Sequence, residues 1–333
     1  MTLLKTIFMG SDPIVLPLLE ALVKRFSDQL DVIAVYTQPD RRSGRGMKLK
    51  AGPVKVLAQD LGLEVRQPEC MNEDEYLWLR EQGCELILVM AYGQILKQEL
   101  LDLPSHAILN FHASILPSYR GASPLEGAIS AGEKETGVTL MQIIRELDAG
   151  SILDVEKVAI EPDMQRDQLA DKLAAACIPL LERNISSIAG KVLDFTPQDS
   201  ERATFTRILT KDDSLLDFRF NASDLYNRIC ALAGWPGTAF EVNGDRIKAK
   251  EIRAVDGEGC PGEILSADKD GLTVACRKGA LRFMQLQRPG GRMMSVGDFL
   301  RGYPLNVGQI LDSSDIVPLV GNQPFPYRKR RKN

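Results

Sequence analysis

The sequence predicts an α/β chain: a doubly wound parallel sheet followed by a small β-barrel. Three observations carry this reading. Through residue 190, short apolar runs alternate with helix-patterned stretches, as in a parallel sheet joined by helical crossovers. Those runs are nearly unbroken, as in residues 85–90 (ELILVM), which suits strands covered on both faces. Beyond residue 209 the runs shorten, glycines interrupt them, and one contains an Asn-Gly turn. A Rossmann-like sheet domain with a C-terminal OB-like barrel is therefore expected.

Taken in order, residues 4–9 form a first strand that ends at Gly10. Pro13 suits the first turn of a helix, whose core face carries Ile14, Leu18, Ala21, Leu22 and Phe26. Residues 31–36 form a second strand, residues 53–61 and 73–81 form helices, and residues 85–90 form a central strand. Residues 107–112 (AILNFH) read as another buried strand, with Pro117 stopping the run that follows. Residues 136–143 and 151–156 make a strand pair, and residues 167–188 a long amphipathic helix. Pro179 should kink or divide that helix. After Gly190 the chain turns polar, and residues 194–205 suit a linker. Beyond it come a helix at 222–232, a hairpin at 239–247 turning on Asn243-Gly244, and strands at 271–276 and 280–286. Residues 327–332 (YRKRRK) read as a mobile basic tail.

Composition narrows the function. The net charge of −4 does not favour a nucleic-acid partner, although local clustering of Lys and Arg matters more than the total. No apolar run approaches the ~18 residues that span a membrane, and the N-terminus is too soon broken for a signal peptide. A cytoplasmic location is expected. The cysteines, at 70, 84, 177, 230, 260 and 276, show no C-x-x-C spacing and lie near no histidine in sequence. Buried, inert thiols and no metal are expected. One G-x-G-x-x-G run, Gly257 to Gly262, contains Pro261 and leads into a strand-like segment. A phosphate loop leads into a helix, so a dinucleotide site is rejected.

The chemistry concentrates in residues 107–121. Asn110 and His112 stand two apart on a strand, so both emerge on one face near its end. An amide and an imidazole there can donate to a developing oxyanion and move a proton. Asp148 is the candidate carboxylate to orient the imidazole. On spacing alone the plainer alternatives stay open: a structural histidine, an asparagine that caps a turn, and an aspartate that turns the chain before Gly150.

These residues, with Ser114-Ile115-Leu116-Pro117, Gly121, Gly137-Val138-Thr139 and Leu147-Asp148-Ala149-Gly150, resemble the signature of the folate-dependent formyltransferases. That family's pattern reads N-x-H-x-S-L-L-P, then G-V-T, then L-D-x-G. This chain departs at Ile115 and Ala149 and keeps every polar group. The resemblance implies catalytic roles for Asn110, His112 and Asp148. It also implies a pocket for 10-formyltetrahydrofolate. The loop Ala91, Tyr92 and Gly93 would line it together with Ser114, Ile115, Leu116 and Pro117, all beyond the carboxyl ends of strands.

Residues 37–50 decide the acceptor. This connection is long, glycine-containing and basic, with Arg41, Arg42, Arg45, Lys48 and Lys50. A solvated mobile loop is the plain alternative. Its pattern T-Q-P-D-R-x-x-G-R-G-x-K-L resembles the loop with which the tRNA-acting branch of the family engages its substrate. The implied partner is initiator methionyl-tRNA, and a monomer is expected. The implied division is a catalytic domain at 1–190, a linker at 191–208, an OB-like tRNA-binding domain at 209–315 and a basic tail at 316–333.

Overall fold

The computed structural model describes residues 3–43 and 48–326. The chain forms two compact units. One holds Met1–Arg120, Glu135–Ala159 and Ala170–Ala203; the other holds Gly121–Lys134, Ile160–Leu169 and Thr204–Asn333.

The first unit is built on a seven-stranded sheet. Its strands are β1 (Leu4–Gly10), β2 (Leu30–Tyr36), β5 (Glu64–Arg66), β6 (Leu86–Met90), β7 (Ala107–His112), β8 (Glu135–Gln142) and β9 (Ile152–Ala159). Their spatial order is β9-β8-β7-β6-β1-β2-β5. The strands from β7 to β5 run parallel, while β8 is antiparallel to both β7 and β9. The strand order reverses beside β1, so a crevice opens at the carboxyl ends of β1 and β6. Every residue of β6 is buried, which explains its continuous apolar run. One face packs Ile7, Met9, Ala34, Tyr36, Ile87, Val89 and Ile108 against the helix Glu73–Gln82.

The connection after β2 is ordered where it is described. Two short strands, β3 (Arg41–Ser43) and β4 (Lys48–Lys50), pair antiparallel. The base of this hairpin is tied down: Asp40 accepts from Lys55 and from Gln67, and Gln38 bonds Ser11, Tyr92 and Arg41. Those donors hold the Asp40 carboxyl below its ordinary range. Arg45 lies outside the described residues.

Pro179 does not divide its helix. A single helix runs Arg166–Ala189 with the proline inside it. Leu173, Cys177, Leu180 and Leu181, which flank the proline, are all fully buried. Their packing outweighs the lost hydrogen bond.

The expected linker is in part bonded into this unit. Thr196 and Ile152 exchange two backbone hydrogen bonds of 2.8 Å. Four of the six cysteines are buried, and burial pushes the thiols of Cys84, Cys177 and Cys276 up to about 12. Cys70 and Cys260 are exposed, against the expectation that all would be buried.

The second unit carries an antiparallel sheet. Its strands are β10 (Thr238–Val242), β11 (Asp245–Val255), β12 (Ile264–Asp268), β13 (Gly271–Ala275), β14 (Ala280–Gln287) and the two-residue β15 (Met294–Ser295). The order is β10-β11-β14-β13-β12, with β15 beside β14. Asn243 and Gly244 form the two-residue turn of the β10–β11 hairpin, both at positive φ as this turn requires. Among the described residues the edge strands β10 and β12 do not pair, so the expected closed OB-like barrel is not formed by strand pairing. Instead the segment 308–312 bridges both edges, Asp312 to Glu241 and Ile310 to Glu263.

The G-x-G-x-x-G run packs against this sheet. A Cβ at Gly257 would stand 2.7 Å from the Ala280 Cβ, and one at Gly259 would stand 2.8 Å from Leu265. Steric clearance accounts for these glycines without a phosphate.

Asp213 anchors the entry to this unit. Its buried carboxylate accepts from Arg207, from Arg228 at 3.0 Å and from the Thr210 amide at 2.6 Å. Arg207 also holds the carbonyls of Val317 and Pro318, so residues 317–318 belong to the unit rather than to a tail. Burial alone would raise the Asp213 carboxyl, yet the Arg207 and Thr210 donors hold it below the ordinary range. A depressed carboxylate adds stability above its unfolded pKa, and that stability is lost as pH falls through the folded value. Asp213→Asn should therefore cost about 3–5 kcal/mol at neutral pH, because the buried Arg228 and the partly buried Arg207 lose their counter-charge. Urea unfolding checks this, and the gap between variant and wild type should narrow under acid.

Candidate active site

Strand pairing builds the site. β7 runs past its parallel neighbour β6, whose pairing ends at Asn110, and continues beside antiparallel β8 so that His112 faces Thr139. Ile108, Asn110 and His112 alternate onto one face. Asn110 is partly accessible, whereas the His112 ring is buried with only 6% of its surface exposed.

The chain after β7 folds back on itself. The Thr139 hydroxyl donates to the Ser114 carbonyl at 2.6 Å and accepts from the Leu116 amide at 3.1 Å. Ser114 Oγ closes the turn on the Ser118 carbonyl at 2.6 Å. This return brings the Tyr119 carbonyl to 3.0 Å from His112 Nε2. A carbonyl only accepts, so Nε2 carries a hydrogen. Nδ1 then faces Asp148, whose Oδ2 lies 3.7 Å away. That is ion-pair range and too long for a direct hydrogen bond. A backbone carbonyl thus holds one edge of the imidazole, and the Asp148 carboxylate lies within ion-pair range of the other. Asp148 borders the edge at which a second proton would add.

Asp148 reaches this place on a tight loop. Its backbone is left-handed, at φ +48°. Gly150, two residues on, has no room for a side chain, since a Cβ would sit 1.8 Å from the Gln142 carbonyl oxygen. Gly137 is as crowded, with a Cβ 2.3 Å from the Glu156 carbonyl oxygen. The other histidine, His106, precedes β7 at the opposite end of the strand, and burial lowers its pKa.

The remaining expected residues fall at the carboxyl ends of adjacent strands. Ala91, Tyr92 and Gly93 follow β6, at the crevice beside β1. The Ser11 amide donates to the Ala91 carbonyl and Ser11 Oγ to the Tyr92 carbonyl, which stitches the two loops together. The Tyr92 side chain is buried in the core, as are those of Ser114 and Leu116. Ile115 and Pro117 are partly accessible, and Ala91 and Gly93 are exposed. On the hairpin, Arg41, Arg42, Lys48 and Lys50 are all exposed, and Arg41 stands opposite Lys50. Tyr119 gave no signal in the sequence, because it acts through its carbonyl, which every residue has.

Such a site, an amide and an imidazole–carboxylate pair beside a switch-point crevice, suits acyl-group transfer. Residues 4–183 match the formyl transferase family, and residues 208–304 match its C-terminal domain. The chain belongs to the formyl transferase family. Its relatives include a methionyl-tRNA formyltransferase of Geobacter metallireducens, 37% identical over 92% of this chain and 97% of the relative. Another is the methionyl-tRNA formyltransferase of Caldanaerobacter subterraneus, 39% identical over 92% of this chain and all of the relative. The fold is also that of WlaRD, a sugar 3N-formyl transferase solved with dTDP and 5-N-formyl-THF. That structure has a TM-score of 0.63 at 17% identity, over 85% of this chain and 98% of that one. HypX from Aquifex aeolicus, solved with tetrahydrofolic acid, gives a TM-score of 0.61 at 14% identity, over 94% of this chain and 51% of that one.

Gly150→Ala tests the packing that places Asp148. The added methyl must push the loop off β8, so stability should fall by about 1–3 kcal/mol, as for other overpacked sites. Chemical denaturation measures it directly; an unchanged midpoint would show that the loop moves freely.

Proposed function

We propose that this chain transfers the formyl group of 10-formyltetrahydrofolate to the free amino group of initiator methionyl-tRNA, giving N-formylmethionyl-tRNA for translation initiation. One observation carries the reading. A His112–Asp148 pair and an exposed basic hairpin occur together in a chain that aligns over 92% of its length with methionyl-tRNA formyltransferases.

The donor brings an activated formyl carbon. The Asn110 amide hydrogen-bonds the formyl oxygen as negative charge grows on it. His112 keeps its Nε2 hydrogen on Tyr119 and works at Nδ1. The attacking amine gives up one proton there, and Asp148 stabilises the imidazolium that results. The same proton is delivered to the nitrogen that leaves. One proton departs and one arrives, so the pair ends the cycle as it began.

The donor lies against the backbone of Ala91, Tyr92 and Gly93 and of Ser114, Ile115, Leu116 and Pro117. Arg41, Arg42, Lys48 and Lys50 take the phosphates of the acceptor stem, with Arg45 from the residues between the two strands. Placing Arg41 opposite Lys50 costs stability in the free protein, because like charges directly opposite repel. A polyanionic partner removes that cost. Residues 209–315 act as an OB-like tRNA-binding module, on which Lys248, Lys250 and Arg253 are exposed along β11. The enzyme acts as a cytoplasmic monomer, with residues 1–190 as its catalytic domain.

A formyltransferase for a small amine would share the catalytic residues but would have no use for the hairpin. Formylation kinetics with methionyl-tRNA and with small amines separate the two. Asn110→Ala and His112→Ala should each cut turnover by roughly 10²–10³, the loss typical of an oxyanion donor or an acid–base group. Near-normal turnover in the folded variants would overturn their assignment. Arg45→Lys should fail on methionyl-tRNA as Arg45→Ala does, while folate affinity stays unchanged, since a point charge lacks the guanidinium plane. Wild-type kinetics in Arg45→Ala would favour the small amine.

A further inference from the structure

Gln198 lies outside every motif described so far, yet its amide is fully engaged beside the site. Its Nε2 donates to the Asp148 carbonyl at 2.8 Å and to the Gly150 carbonyl at 2.7 Å. Its Oε1 accepts from Arg120 Nε at 3.1 Å and Nη2 at 2.8 Å. The orientation of the amide is unambiguous, because guanidinium only donates and carbonyls only accept. Gln198 is itself held in place, two residues after the Thr196 bridge to β9.

Three features converge on this amide. Asp148 has the left-handed backbone that residues other than glycine seldom adopt, and such a conformation persists only where its surroundings impose it. Arg120 is 5% exposed; burial lowers its pKa, while Asp148 and Glu146 raise it. Arg120 also directly follows Tyr119, whose carbonyl holds His112 Nε2. A continuous chain of bonds thus runs from the imidazole through Tyr119, Arg120 and Gln198 to the backbone of Asp148. Both ends of the His112–Asp148 pair are set by that one chain.

We propose that Gln198 is a positioning residue for the Asp148–His112 pair, with Arg120 locking its amide so that both N–H groups face the Asp148 loop. The proposal rests on the reading that this pair moves the proton. Gln198→Glu is the sharpest variant. A carboxylate still accepts from Arg120, but it has no hydrogen for the Asp148 and Gly150 carbonyls, so the loop loses its clamp while the buried cation stays paired. Gln198→Met removes both contacts at similar volume.

The test measures methionyl-tRNA formylation by Gln198→Glu, Gln198→Met, Asp148→Asn and the double variant Gln198→Glu/Asp148→Asn. Gln198→Glu should lower kcat by ~10–100-fold, as misplacement of a reacting group does. KM for both substrates should stay within about threefold, since no binding contact is removed. In the Asp148→Asn background the same change should cost less than about threefold, because both substitutions disable one unit. The chain has two histidines, so imidazole ¹⁵N spectra give a second readout: His112 should shift in Gln198→Glu and His106 should not. Wild-type turnover in Asp148→Asn would instead overturn the reading of the pair itself. If Asp148→Asn is slow while Gln198→Glu turns over normally, or if the two losses multiply in full, the positioning role is wrong. Failure of both Gln198 variants to fold would assign the residue to the scaffold and overturn the proposal as well.

Discussion

The site depends on the hydroxyl of Thr139. It lies opposite His112 in the β7–β8 ladder and both donates and accepts, to Ser114 and from Leu116. A valine would fill the same space but make neither bond. Those two bonds fold the chain after β7 back over the sheet, and only that return puts the Tyr119 carbonyl on the imidazole. Tyr119 itself sits at φ +63°, so the return carries backbone strain that the buried bonds hold in place. The antiparallel step from β7 to β8 matters for the same reason. Because β8 runs antiparallel to β7, their connection leaves and re-enters the sheet at the carboxyl end of β7, the end that carries Asn110 and His112.

Charge is arranged in two opposite ways. Arg120 and Arg228 are buried cations held by fixed acceptors, and burial draws both down. Their value lies in geometry, since a buried guanidinium with fixed acceptors defines positions sharply. The hairpin does the reverse, with basic side chains standing in solvent on a tied base. Asp40 and Gln38 pin that base to the strands, so the exposed charges are presented from a fixed origin. Net charge hides this, because −4 over the whole chain says nothing about a local cluster of one sign.

Much of the scaffold was legible in the sequence for simple reasons. Residues 86–90 are apolar throughout because helices cover both faces of the sheet, and Asn243-Gly244 turns a hairpin because few other pairs tolerate two positive φ angles. The alternation of a strand is enough to place Asn110 and His112 on one face. Other features were not legible. Pro179 suggested a break, but local propensity yields to a wholly buried flank. Runs of short strands suggested a closed barrel, but strand count does not reveal which edges meet. Tyr119 acts through a backbone carbonyl, and Gln198 stands fifty positions from the aspartate it touches, in a stretch whose polarity suggested a linker. Contacts made by main-chain atoms leave no residue signature.

The glycines of the family signature show how a motif combines two kinds of information. Asn110, His112 and Asp148 bring polar groups to one end of β7, the part of the pattern that the proposed chemistry uses. Gly137 and Gly150 carry no chemistry, but each lies against a carbonyl oxygen closer than any Cβ tolerates. Gly150 lets the Asp148 loop press onto the end of β8, and Gly137 lets β9 cross beside Ile115. Clearance of this kind is as demanding as catalysis, since one methyl would move the carboxylate away from Nδ1. It also explains which positions vary. Ile115 and Ala149 depart from the usual family residues. Neither supplies a polar side-chain group, and neither occupies a site where a Cβ must be absent.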